Sequence, residues 1–269
     1  KDLKRKYKNK KNIKCINTFL DKTDGNYISM NFYKHSGKNS FYQIKGEKVK
    51  KKISTRTSTI DSISEKIKFL KIDIEGKEES CLLGAKRQLK NNVLGVRCEI
   101  LFNSPYKDQS ETWSGVNKIL NKEGFEFMNF DIVKNVSSKS FSKYNFGESF
   151  GKIYSADGIW VKKIKYILDS NDYKEIIDYS VFCIFNNLTD LAIKILKSKH
   201  SAIKKNIKKS TKYQKIFLLL EYTLAKKFFH LRKIPAYQQM VEKDFEIIFR
   251  KKWPTEGSFF YKYPLDMKI

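Results

Sequence analysis

The sequence predicts an α/β domain over residues 1–165, followed by a small all-α domain over residues 166–269. The first observation is a strand–helix–strand pattern over residues 67–102, whose lengths are those of a βαβ unit in a parallel sheet. The second is that apolar residues after about residue 165 recur only with helical spacing. An open sheet covered by helices, with a helical appendage, fits both observations.

The elements of the first domain follow from local patterns. Residues 1–11 carry seven Lys or Arg and are predicted to be the exposed end of a helix. A helix is predicted from Glu78, where carboxylates suit a helix N-terminus, to Asn91, and a second over residues 113–122. Apolar, alternating or β-branched runs predict strands at 13–20, 27–32, 53–59, 67–74, 93–102, 125–130 and 159–161.

Apolar stripes with helical spacing predict the second domain. They cover residues 173–184, 188–196, 213–228 and 237–248, and two stacked helical hairpins would bury them. Residues 194–212 contain eight Lys and no acidic residue, so we predict a solvated linker there.

Composition excludes several classes of function. The formal charge is +26, yet only six of the 55 basic residues are Arg, the residue that binds phosphate and guanine bidentately. The Lys excess therefore indicates a coding bias, and no specific nucleic-acid partner is predicted. Charges interrupt every apolar run before ~18 residues, so no membrane contact is predicted. Four widely spaced cysteines without a C-x-x-C pair favour free thiols in a reducing cytoplasm over zinc or disulfides.

One acidic motif is the most specific feature of the sequence. Residues 69–78 have the sequence FLKIDIEGKE, and residues 82–85 have the sequence LLGA. They resemble the signature of the FkbM methyltransferases, a strand with Leu-Lys-Ile-Asp-Val-Glu-Gly and then a helix with a Leu-x-Gly-Ala step. Further segments resemble that family in the same order: TIDSI at 59–63, VRCEI at 96–100, GF at 124–125 and ADGIWV at 156–161.

The resemblance implies a Rossmann-like class I methyltransferase fold, with sheet order 3-2-1-4-5-7-6. It also implies S-adenosylmethionine as cofactor and methylation of a hydroxyl on a sugar or natural product. The family's glycine-rich Asp-x-Gly-Ala-x-x-Gly loop, and the acid after its second strand, do not occur in this sequence. We therefore expect a sheet that lacks its first two strands, so that the strand at 13–20 loses its partner. We also expect a fragment of a longer gene product that by itself binds the cofactor poorly.

Three carboxylates are the predicted catalytic residues. Asp73 ends one central strand, Glu75 lies in the following turn, and Glu99 lies near the end of the next strand. Ligands of open parallel sheets bind beyond these carboxyl ends, and the resemblance places Asp73 beside the transferred methyl, as base or as orienter of the acceptor. Two alternatives stay open: Asp73 or Glu75 caps the following helix, or the three residues hold Mg²⁺. Because no further oxygen ligand can be placed, no metal is predicted.

Two further groups of residues are candidates for binding. Asn17, Thr18 and Phe19 end the strand at which such enzymes contact adenine, so the resemblance assigns them to the cofactor; Phe19 is equally compatible with the core. His35 and Ser40 lie in a polar loop and are predicted to contact a small-molecule or carbohydrate acceptor, with a solvated His35 as the alternative. A second class of function is a non-catalytic protein that binds a protein partner through its helical domain.

Overall fold

A computed structural model describes residues 2–34, 39–63, 66–107, 111–136, 152–232, 242–243 and 246–247. The chain divides into two compact units, residues 1–160 and residues 161–269. The first unit contains the two sheets, and the described part of the second is helical after its first residues. No helix among the described residues is long and apolar enough to cross a membrane.

Seven strands form two sheets within the described residues. The strands are β1 (Phe19–Leu20), β2 (Tyr27–Phe32), β3 (Lys51–Ser58), β4 (Phe69–Ile72), β5 (Gly95–Leu101), β6 (Phe125–Val136) and β7 (Lys152–Lys162). One sheet has the order β1-β3-β2 and the other the order β4-β5-β7-β6. Strands β4 and β5 are parallel, with Phe69 opposite Gly95. The order β4-β5-β7-β6 is the same as that of the last four strands, 4-5-7-6, in the sheet order 3-2-1-4-5-7-6 that the resemblance implies.

The prediction of a strand at 13–20 without a partner is wrong. Only Phe19 and Leu20 form a strand, and they pair in parallel with Thr57 and Ser58 of β3. Ile13 and Ile16 before them are exposed and have no strand structure. The partner is a strand more than thirty positions later in the chain, and it pairs with one edge of β1. Local apolar spacing contains no information about such a partner.

The helix predicted after Glu78 is two helices. They are α3 (Glu78–Leu83) and α4 (Lys86–Asn91), which follow α1 (Asp2–Lys6) and α2 (Ile60–Ile63) and precede α5 (Trp113–Lys122). The break lies at Gly84, whose carbonyl accepts a hydrogen bond from the Asp61 N–H at 3.0 Å. The Asp61 carboxylate then accepts the N–H groups of Arg87 and Gln88, at 2.9 and 3.0 Å, in the first turn of α4. A side chain distant in sequence therefore starts the second helix.

The core of the first unit lies between the four-stranded sheet and helices α3 to α5. On β5 the buried residues Val96, Cys98 and Ile100 alternate with Arg97 and Glu99. Because successive side chains of a strand point to opposite faces, Glu99 lies on the face of β5 opposite to this core. The buried cluster contains Ile60, Ile72, Cys81, Leu82, Ala85, Leu89, Val93, Val96, Cys98, Ile100, Val116, Leu120, Phe125 and Trp160.

The second unit contains five α-helices within the described residues. They are α6 (Ile164–Asp169), α7 (Tyr173–Phe185), α8 (Thr189–Ser198), α9 (His200–Asn206) and α10 (Thr211–Arg232). The stripes at 173–184, 188–196 and 213–228 lie in helices, as their spacing predicts. The predicted linker at 194–212 is wrong, since α9 and a 3-10 turn (Ile207–Lys209) occupy much of it and Ile203 is buried. Of the stripe at 237–248, the described residues, 242–243 and 246–247, are helical, and the others lie outside the described residues.

Candidate active site

The turn after β4 carries the acidic motif. Glu75 has a φ of 56° and Gly76 a φ of 102°, so the chain turns through two residues in the left-handed region. Glycine adopts this conformation without strain, whereas glutamate does so rarely. Asp73, just before the turn, is half exposed and forms an ion pair with Lys71, its Oδ2 lying 3.0 Å from the lysine Nζ.

Helix capping does not account for Asp73 and Glu75. The N-cap of α3 is Lys77, and no side chain caps it. Glu78 fixes the turn instead, since its Oε1 accepts the N–H groups of Ile74 and Gly76 at 3.2 and 3.1 Å. The Glu78 side chain is fully buried, and burial raises the pKa of its carboxyl group. Glu78 therefore stabilises the turn, and the carboxylates of Asp73 and Glu75 are not needed for that purpose.

Glu75 has two hydrogen-bond partners from other parts of the chain. The hydroxyl of Tyr106 donates to Glu75 Oε2 at 2.7 Å. The hydroxyl of Ser40 donates to the Glu75 backbone carbonyl, also at 2.7 Å. Both donors are buried, with Tyr106 1% and Ser40 0% exposed. The conformation of Glu75 is thus determined by contacts with its side chain and with its backbone.

The structure brings the three predicted catalytic carboxylates together. Oxygen atoms of Asp73, Glu75 and Glu99 all lie within 4.8 Å of one another. The Glu99 side chain is 12% exposed, and its Oε1 lies 3.6 Å from Lys134 Nζ. Burial first, and then the negative charges of Asp73 and Glu75, raise the pKa of Glu99 to about 7. Such a cluster could hold a cation, although acidic groups often meet without one.

A cavity of about 230 Å³ lies beside this cluster. Glu75 and Glu99 form its acidic wall, and its other lining residues include Tyr106, Lys134 and Tyr154. Burial, followed by the charges of Glu75 and Glu99, raises the pKa of Tyr154, so its hydroxyl is a neutral donor at physiological pH. The cavity therefore offers carboxylate acceptors, a hydroxyl donor and one ammonium group to a polar ligand.

The residues predicted for the cofactor lie at the end of the three-stranded sheet. Asn17 is exposed, and the Thr18 hydroxyl lies 2.8 Å from the Ser58 hydroxyl. Phe19 is half-buried and contacts the ring of Phe41 edge to face, with 5.1 Å between centroids. This contact agrees with the core interpretation of Phe19 and leaves part of its ring accessible.

The two residues predicted for the acceptor have different positions. Ser40 is fully buried and reaches the site through its hydrogen bond to the Glu75 backbone. His35 lies outside the described residues. Sequence patterns missed Tyr106, Lys134 and Tyr154, because none of them belongs to the acidic motif or to the segments that accompany it. A weak signal was available for Tyr154, which lies just before the ADGIWV segment.

The accompanying segments have structural roles. Arg97, in VRCEI, donates from Nε to Asp157 of ADGIWV at 2.7 Å and forms an ion pair with Asp131 at 2.9 Å. These contacts join β5, the strand that carries Glu99, to its neighbour β7 and to β6 on the other side of β7. Asp61, in TIDSI, organises the start of α4 as described above. The segments therefore fix the elements that position the carboxylates.

Comparison with known proteins agrees with this geometry. Residues 4–127 match the family model of the methyltransferase FkbM domain. Neither the curated proteins nor the solved structures gave a match. The matched range contains β1 to β5, the acidic turn, Ser40, Tyr106 and all three carboxylates. Residues 4–127 of this chain therefore match a methyltransferase domain of the FkbM family.

Proposed function

We propose that this methyltransferase uses S-adenosylmethionine to methylate a hydroxyl group of a small-molecule or carbohydrate acceptor. The observation that carries the proposal is the convergence of Asp73, Glu75 and Glu99 beside one cavity. A hydroxyl that accepts a methyl group must lose its proton, and a nearby group with a pKa close to the working pH removes it most effectively. Glu99, with a pKa of about 7, has this property.

The three carboxylates have distinct roles in this proposal. Glu99 accepts the proton of the acceptor hydroxyl. Glu75 orients the acceptor by accepting a hydrogen bond from a neighbouring hydroxyl group of the same molecule, since its carboxylate lines the same cavity. Asp73 is half exposed and paired with Lys71, and its negative charge would favour the cationic end of the methyl donor.

The cofactor fits the charge of the site. S-Adenosylmethionine supplies an electrophilic methyl group on a sulfonium cation, and a carboxylate cluster favours a cation. Asp73 would lie at the sulfonium end, and Asn17, Thr18 and Phe19 would hold the adenine end, where the accessible part of the Phe19 ring can contact the base.

The cavity also limits the acceptor. Its volume of about 230 Å³ is smaller than the ~300–1,000 Å³ of sites that enclose whole drug-sized ligands. The enclosed part of the acceptor is therefore a single ring or a short polar group. Carboxylates and a tyrosine hydroxyl that line the cavity suit a polyhydroxylated ring, whose hydroxyl groups both donate and accept hydrogen bonds.

Calorimetric titration with S-adenosylhomocysteine tests the proposal. The titration is made into the complete gene product and into residues 1–269, and a protein that binds is then screened for methyl transfer to hydroxylated acceptors. Glu99→Gln is expected to abolish transfer and to retain cofactor binding. Glu126→Gln removes the same charge from an exposed position of β6 and is the matched control.

Two outcomes of these measurements would contradict the proposal. Absence of S-adenosylhomocysteine binding by both proteins would exclude the cofactor and favour the alternative function, binding of a protein partner by the helical unit. Unchanged methyl transfer by Glu99→Gln would exclude Glu99 as the base.

A further inference from the structure

The backbone of Glu75 is held in a conformation that glutamate rarely adopts. Its φ of 56° lies in the left-handed region, next to Gly76 at 102°. A non-glycine residue persists there only where its surroundings determine the conformation. The contacts of Glu75 therefore indicate which residues keep its carboxylate at the cavity.

Tyr106 makes the contact with the carboxylate. Its hydroxyl donates to Glu75 Oε2 at 2.7 Å, across 31 positions of the chain. The position of the tyrosine is itself fixed: it forms a β-bridge with Ile44, its ring stacks on Tyr42 at 5.8 Å, and it is 1% exposed. Such a buried phenol can hold a carboxylate in one orientation, because few other rotamers are open to it.

Ser40 makes the contact with the backbone. Its hydroxyl donates to the Glu75 carbonyl at 2.7 Å. The backbone of Ser40 is in turn paired with Asn31, through N–H to carbonyl hydrogen bonds of 2.8 and 3.2 Å. Glu75 is thus attached to the Asn31–Ser40 bridge on one side and to Tyr106 on the other.

Repulsion makes these attachments necessary. Glu75 and Glu99 line the same cavity, and their oxygen atoms lie within 4.8 Å of each other and of Asp73. Like charges at this distance favour rotation of the more exposed side chain towards solvent. Lys134 pairs with Glu99, at 3.6 Å, whereas the side-chain contact of Glu75 is the hydrogen bond from Tyr106.

We propose that Tyr106 is a positioning residue, whose hydroxyl keeps the Glu75 carboxylate in the cavity beside Glu99, with Ser40 supporting the same turn from its backbone. The proposal rests on the proposed function, in which Glu75 orients the acceptor and Glu99 takes its proton. Tyr106 and Ser40 thus affect the reaction by holding Glu75, and neither residue contacts the methyl group.

The test follows Glu99, which faces Asp73, Glu75, Lys134 and, at longer range, Glu78. The full chain is labelled with ¹³C at glutamate side-chain carboxyl groups and titrated by NMR, and the Glu99 signal is assigned by its loss in Glu99→Gln. Glu75 raises the pKa of Glu99 while it remains in the cavity. Tyr106→Phe releases Glu75, so the proton affinity of Glu99 is expected to fall threefold or more.

The matched control is Tyr33→Phe. Tyr33 belongs to the same buried cluster as Tyr106, and its hydroxyl accepts the Ile44 N–H at 2.9 Å and donates to the Tyr42 carbonyl at 3.3 Å. Its loss leaves the Tyr106–Glu75 hydrogen bond in place. This variant loses a comparable buried hydroxyl, so it is expected to lower the unfolding midpoint similarly and to leave the titration of Glu99 unchanged. Ser40→Ala is a second variant, for the case that Tyr106→Phe does not fold. It is expected to lower the proton affinity of Glu99 by a smaller factor than Tyr106→Phe.

Either of two results would overturn the proposal. One is a Glu99 titration in Tyr106→Phe or Ser40→Ala that matches the wild type. The other is an equal change in Tyr33→Phe, which would indicate a general loosening of the cluster. The titration uses neither cofactor nor acceptor, so its outcome is independent of whether methyl transfer is observed.

Discussion

Replacement of Glu99 by glutamine is expected to stabilise the folded protein at alkaline pH. Glu99 is largely buried beside Asp73 and Glu75, and its pKa is raised from the ordinary value of 4.5 to about 7. A carboxyl group with a raised pKa binds its proton more tightly in the folded state than in the unfolded state. Its contribution to the free energy of unfolding is therefore present at low pH and is lost as the pH rises from about 4.5 to about 7.

The magnitude follows from the two pKa values. At about 1.36 kcal/mol for each pH unit between them, ionisation of Glu99 costs the folded state on the order of 3 kcal/mol. Solvent screening reduces this value, so we expect a measured difference of about 1–2 kcal/mol. Glutamine has the shape of the protonated acid and carries no charge at any pH. The stabilisation by Glu99→Gln should thus be about 1–2 kcal/mol larger at pH 8 than at pH 5.

Urea unfolding at both pH values measures this difference. Fluorescence of Trp113 and Trp160 reports on the unit that contains Glu99, and the free energy in water is obtained by linear extrapolation. Glu126→Gln, with the same loss of charge at an exposed site, corrects for the change in net charge. The reasoning is refuted if Glu99→Gln has the same effect at pH 5 and pH 8, or if it destabilises the protein at pH 8.

Three further predictions concern the packing of the described residues. Gly84→Ala should destabilise it by roughly 1–3 kcal/mol in chemical denaturation, because a Cβ at this position would overlap the backbone carbonyl of Asp21; an unchanged midpoint would disprove that contact. Asp61→Ala should lower the free energy of unfolding by about 1–2 kcal/mol, because it removes the hydrogen bonds that start α4. Urea unfolding followed by circular dichroism measures this loss, and a stability equal to that of the wild type would show that Asp61 has no such role. Cys15, which is half-buried, should react with a thiol reagent in the native protein well before the three buried cysteines; simultaneous reaction of all four would contradict the burial described here.

The sequence alone determined the elements whose signals are local. The helix predicted over 113–122 has the observed bounds, because Val116 and Leu120 recur at helical spacing and are the residues that become buried. The strand–helix–strand pattern over 67–102 likewise predicted the parallel pair β4 and β5. Parallel strands end at the same edge of a sheet, so the convergence of Asp73, Glu75 and Glu99 was also predictable in outline.

Tertiary structure decided the features that depend on distant parts of the chain. The sequence gives no sign that β1 pairs with β3, or that Asp61 divides the helix after the acidic turn, because hydrogen-bond partners remote in sequence leave no periodic signal. Tyr106 is a similar case: it belongs to no motif, and only the folding of its segment against Glu75 brings the two side chains to 2.7 Å. The pKa of Glu99 was also decided at this level, since it depends on burial and on charges that meet through space. Spacing along the chain therefore determined which carboxylates end neighbouring strands. Three-dimensional packing determined the hydrogen-bond partners of these carboxylates and the base strength of Glu99, because partners and base strength depend on distances through space.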